Sequence, residues 1–183
     1  MNWWIILIIV VVLLVLYVIS VYNSLVNLKN KVEDQASQID VELKRRFDLV
    51  PNLVETVKGY TKHEKETLEN VVKARNSYVS ADNLGDQLKA DGELTNAISK
   101  LFALTESYPD LKANENFMNL QNELSAIEEK IVYARQFYND SVLMLNNKVE
   151  MFPSNLVAKM FNFPKKEFFE ASSAERENVK VKF

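Results

Sequence analysis

Apolar residues fill every position from Trp3 to Ile19, WWIILIIVVVLLVLYVI, and no charged side chain appears before Lys29. At 1.5 Å rise per residue the run spans about 25 Å, and Ser20, Val21 and Tyr22 extend it to roughly the hydrocarbon thickness of a bilayer. The pattern predicts a transmembrane helix. From Leu25 the spacing changes: Leu25, Leu28, Val32, Ala36, Ile39, Leu43, Phe47, Val50, Val54, Val57, Leu68 and Val71 recur mostly at steps of three and four, as on an amphipathic helix. No Gly or Pro occurs before Pro51, so the span and the stalk beyond it read as one continuous helix.

The stretch SADNLGDQLKADGEL, from Ser80 to Leu94, gathers Gly85, Gly92 and several Asp and Asn residues and predicts a loop between helices. A helix over roughly Glu93 to Ser107 should follow, with Tyr108-Pro109-Asp110 as its punctuation. Phe117, Leu120, Leu124, Ile127, Ile131, Ala134, Tyr138, Ser141 and Leu145 then alternate steps of three and four without a fault. Such a 3.5-residue repeat wants a partner helix along its length, either within the bundle core or at an oligomer seam. Phe152-Pro153 should end that helix, with Ser154 or Asn155 capping a short successor through Phe161. Asn178 to Phe183 alternates polar and apolar residues and reads as disordered or as a strand for another chain's edge.

Energetics support retention in a membrane. Twelve consecutive Ile, Leu or Val residues, Ile5 to Leu16, favour insertion by about 0.3 to 0.6 kcal/mol each, or very roughly 4 to 7 kcal/mol together. Trp3, Trp4, Tyr17 and Tyr22 bracket the run where interfacial aromatics belong. A cleaved signal peptide is the competing reading, but the flank has no basic residues and Ser20-Val21-Tyr22 is a poor cleavage sequence. Lys29 and Lys31 follow the span while no Lys or Arg precedes it, which points the bulk of the protein toward the cytoplasm; Glu33 and Asp34 dilute that bias.

The formal charge of −3 on 183 residues gives no reason to expect nucleic acid as a partner. Cysteine is absent, which removes disulfides, thiol nucleophiles and thiolate metal sites, and the three glycines and four prolines disfavour turn-rich β architectures. His63 is the single histidine, and HEKE is not the HExxH pair that zinc needs on a helix. No phosphate-binding loop, dinucleotide turn or G-x-S-x-G elbow is present, and carboxylates interleave with lysines as on solvated helix faces. No cofactor, metal or catalytic group is expected, and an enzyme would have to borrow its groups from another chain.

Four blocks occur in order after the apolar helix: RRFDLVPNLVETVKGYTKHE, SYPDLKANENFMNLQNEL, ARQFYNDSVLMLNNKVEMFPSNLVAKMF and KKEFFE. Together they resemble the LemA family of bacterial membrane-associated proteins, from the anchor to about Glu170; the tail from Ala171 departs from that pattern. The resemblance implies an all-α fold in which an N-terminal transmembrane helix continues into a long antiparallel helical bundle, without an established enzyme activity. The organisation expected is an anchor over residues 1–22, a bundle over 23–170 and a tail over 171–183, in the bacterial cytoplasmic membrane.

Within the first block, Pro51 cannot donate to the Phe47 carbonyl, a cost of about 3 kcal/mol in a helix interior unless another donor compensates. Asn52, Arg46, Arg135 or Asn139 are candidate donors. Arg45 and Arg46 lie beside apolar positions, and Arg46 extends the Ile39–Leu43 spacing. Buried there it would need a carboxylate, with Glu123, Glu128 or Asp140 as candidates; the alternative is a solvent-facing kink with arginines reaching outward. Two functions compete. One is a self-associating membrane scaffold; the other is an adaptor docking an envelope protein, such as a membrane protease, through Phe161, Phe163, Phe168 and Phe169, whose bland role would be to cap the bundle's open end.

Overall fold

A computed structural model describes residues 3–61 and 64–169. The chain is all-α, with six helices and no strand among the described residues. Helix α1, Trp3–Lys58, runs unbroken through Pro51; α2 is Lys65–Val79, α3 Leu84–Thr105, α4 Pro109–Lys112, α5 Glu115–Glu150 and α6 Ser154–Met160. The chain forms two compact units, one of residues up to Ser37 with Arg135–Phe168, the other of Gln38–Ala134 with Phe169. Helices α1 and α5 each contribute to both.

The first unit is cored by Val21, Leu25 and Val32 of α1, Val142 and Leu145 of α5, and Val157 and Ala158 of α6. In the second, Ile39, Leu43, Phe47, Val50, Leu53 and Val57 of α1 are buried, as are Val71 of α2, Leu94, Ile98 and Leu101 of α3, Leu111 of α4, and Phe117, Leu124, Ile127 and Ile131 of α5. Helix α2 packs on α3. All nine residues of the α5 repeat except half-buried Leu120 are buried, so this stripe belongs to the core.

Three boundaries differ from those the residue pattern suggests. Leu68 and Val71 do not prolong α1, because Gly59 to Thr61 closes it: Tyr60 and Thr61 both donate their N–H groups to the Val57 carbonyl. The loop before α3 is only four residues, Ser80 to Asn83, and Gly85 and Gly92 are helical. Asn83 explains this: its Oδ1 accepts the Asp86 N–H at 2.9 Å while its Nδ2 donates to the Asp86 carboxylate at 2.8 Å, a reciprocal cap that starts the helix nine residues early. Ser154 opens α6 without capping it, and its hydroxyl donates to the Met151 carbonyl instead. The expected strand or disorder over 178–183 lies outside the described residues.

Candidate functional site

The start of α1, up to Ser20, is largely uncovered among the described residues. Trp3 and Trp4 are exposed, their rings 4.6 Å apart, and the Ile, Leu and Val side chains from Ile5 to Leu16 stand about half exposed. Only 6% of the most apolar 18-residue window is buried, whereas the core helix of a soluble protein would be mostly covered. By length and composition this is a candidate membrane span. Burial begins at Val21, and Tyr22 turns its ring toward Phe161 and Phe163, with centroids at 4.8 and 5.8 Å.

The arginine pair of the first block separates by environment. Arg45 reaches Glu123 at 2.8 Å in an exposed pair, worth about 0 to 1 kcal/mol. Arg46 is 3% exposed. Its Nη1 lies 2.5 Å from Asp91 Oδ1 and its Nη2 2.5 Å from Glu128 Oε2, while its Nε has no hydrogen-bond partner. One guanidinium of α1 thus ties α3 and α5 at a single level, and removing Arg46 would strip the buried Asp91 carboxylate of the cation that compensates it. Glu128 was foreseeable from its periodic position; Asp140 belongs to the other unit. Asp91 was hidden by the expected loop, although Asp91, Leu94, Ile98, Leu101 and Thr105 share one helical face and all are buried.

Next to the ion pairs, the Phe47 and Tyr78 rings stack at 3.9 Å and 8°. The Tyr78 hydroxyl bonds to Asp40, and its pKa is pushed up to about 12, by burial first and then by the charges of Asp40, Asp48 and Asp91. Tyr78 therefore keeps its proton at physiological pH. Pro51 is exposed, between buried Val50 and Leu53. Two of Arg46's three guanidinium nitrogens are committed to carboxylates, and the Asn52 carbonyl accepts the Thr56 hydroxyl at 2.8 Å. Arg135 and Asn139 belong to the first unit, Pro51 to the second.

A second constellation sits in the first unit. Buried Asn146 donates from Nδ2 to the Lys166 carbonyl and accepts the Lys166 N–H on Oδ1, both at 2.9 Å. Its primary amide therefore imitates a neighbouring strand and holds extended backbone against α5. The Tyr138 hydroxyl donates to the Glu167 carbonyl at 3.2 Å, and burial followed by the Glu167 charge raises its pKa. Lys165 pairs with Glu150. The Phe-rich segment is thus strapped to α5, with Phe161 and Phe168 exposed and Phe163 and Phe169 half buried. Neither Asn146 nor the strap was singled out from the sequence, since nothing in the periodicity marks a contact twenty residues apart.

No group of three or more metal-ligating side chains comes together among the described residues, and His63 lies outside them. The carboxylates of the Arg46 cluster face cations, and Tyr78 holds its proton. The arrangement can fix helices in register; it offers no activated nucleophile.

The sequence of this all-α chain matches a known family beyond the apolar span. The model of the LemA family matches residues 35–183, and the chain belongs to that family. The match runs through the segment 171–183, which the residue blocks had left outside. The chain is 27% identical to Protein LemA of Metamycoplasma hominis over 86% of its length and 72% of that relative. It is 24% identical to Magnetosome protein MamQ 2 of Paramagnetospirillum magneticum and to Magnetosome protein MamQ of Magnetospirillum gryphiswaldense, each over 84% of this chain and 66% of the relative.

Proposed function

We propose that this chain is a non-enzymatic structural protein of the bacterial envelope, held in the cytoplasmic membrane by residues 3–20 of α1 and self-associating through its bundle into a scaffold. The observation that carries this reading is the contrast along α1: the residues before Val21 are uncovered apolar side chains, and those after it enter a closed core. Lys29 and Lys31 beyond the span favour a cytoplasmic bundle.

Self-association draws support from α5. Its core stripe is used within the chain, yet Val132, Tyr133, Phe137, Leu143 and Met144 remain exposed on another face of the same helix. Tyr133, Phe137 and Met144 follow one another at four and seven residues, the spacing of a helical contact ridge. The second reading, an adaptor that docks an envelope protein, is favoured by the exposure of Phe161 and Phe168, although Asn146 and Tyr138 hold the backbone that carries Phe168.

The test compares the mass of the detergent-solubilised full chain with that of a chain beginning at Asn23. A uniform assembly that persists after truncation supports contacts in the bundle. Monomers in both samples reject the scaffold.

A further inference from the structure

Between Met151 and Pro164 the sequence MFPSNLVAKMFNFP carries a single charge, Lys159. Such a composition belongs in an interior, yet Met151, Phe152, Leu156, Met160 and Phe161 are exposed, Phe152 by 79%. The segment is not loosely held. Ser154, Val157 and Ala158 are buried, and the last turn closes in a Schellman arrangement: Asn162, at φ 57°, donates to the Lys159 carbonyl and Phe163 donates to that of Ala158. A fixed corner therefore presents its apolar side chains outward.

Its place in the first unit identifies what covers it. Phe161 packs on Tyr22, which lies three residues beyond Ile19, about 4.5 Å along the axis from the end of the apolar run. The corner is thus level with the point where α1 leaves its uncovered stretch, and the two apolar surfaces are continuous. Exposed Phe, Leu and Met beside one Lys, which has no ion-pair partner among the described residues, is the make-up of surfaces that lie at the headgroup boundary.

We infer that the α5–α6 corner is a second, monotopic contact with the same bilayer that α1 crosses, its partner being the lipid surface. This rests on the reading of residues 3–20 as a span. A single helix turns freely about its own axis in lipid; a second contact beside its exit point fixes that rotation and so sets which face of the bundle neighbouring copies meet.

The native chain has no cysteine, so single labels are simple to place. Phe152→Cys, Val11→Cys and Ser107→Cys, each in the full chain, would carry an environment-sensitive fluorophore in vesicles of phosphatidylethanolamine and phosphatidylglycerol. The expected result is that the Phe152 label is quenched by lipids spin-labelled near the headgroup and is at least threefold less accessible to iodide than the Ser107 label. Iodide access equal to that of Ser107, with the Val11 label quenched by lipid, overturns the corner contact and leaves the span standing. Protection from iodide without lipid quenching assigns the corner to a second copy and also overturns it. Absence of lipid quenching at both Val11 and Phe152 removes the span, and the inference with it.

Discussion

Arg46 Nη1 lies 2.5 Å from Asp91 Oδ1, and the two side chains are 4% and 1% exposed. Forty-five residues apart in sequence, they join α1 to α3 at a level where Glu128 adds α5. Desolvating such a pair is expensive, so its value lies less in net stability than in the penalty for any packing that separates the partners.

That asymmetry has a measurable form. Arg46→Met should destabilise the bundle by about 3 to 5 kcal/mol, because buried Asp91 loses the guanidinium that compensates its charge, while adding Asp91→Leu should restore most of the loss. Urea unfolding of the two variants checks this. Equal destabilisation of the single and double variants would show that the pair itself, and not the orphaned charge, sets the cost.

Alkaline titration probes the neighbouring Tyr78. Its pKa is raised from 10.0 to about 12 in the folded chain, so below pH 10 the hydroxyl is protonated in both states and the full stability is present. Between pH 10 and 12 the unfolded chain loses the proton first, and stability falls as pH rises. Tyr78→Phe keeps the stacking on Phe47 and should flatten this decline. Tyrosinate absorbance followed beside circular dichroism gives both curves; an unchanged slope in the variant would place the late-ionising group elsewhere.

The Asn146 clamp predicts a local effect. Asn146→Ala removes both bonds to Lys166, each worth about 0.5 to 1.5 kcal/mol net, and should speed hydrogen exchange at the Lys166 amide about tenfold or more. Asn146→Asp retains the acceptor but sets a carboxylate against the Lys166 carbonyl, so it should loosen the strap as well. Trypsin should cleave after Lys165 and Lys166 faster in both variants. Unaltered exchange would mean that Tyr138 and the Lys165–Glu150 pair suffice to hold the segment.

The residues differ in how much of this they disclose. The α1 apolar run and the faultless α5 repeat are local patterns, and both appear as continuous helices. Arg46 continues the Ile39–Leu43 spacing, which left burial and a solvent-facing kink as equal readings until its carboxylate partners were in place. Its partner Asp91 was hidden, because Gly85, Gly92 and the nearby Asp and Asn residues imitate a loop, and the cap that overrides them depends on one pair of residues, Asn83 and Asp86. The strap was invisible for another reason: a single asparagine amide reading a backbone twenty residues away leaves no periodic trace.

The most direct test of a self-associating anchored bundle is the mass of the full chain in detergent, measured beside a Tyr133→Glu, Phe137→Glu variant. Both side chains are exposed, so the variant should keep its helicity. A scaffold built on this face of α5 gives a uniform multimer for the native chain and a monomer for the variant. A native chain that stays monomeric across concentration, or a multimer that two glutamates leave intact, contradicts it.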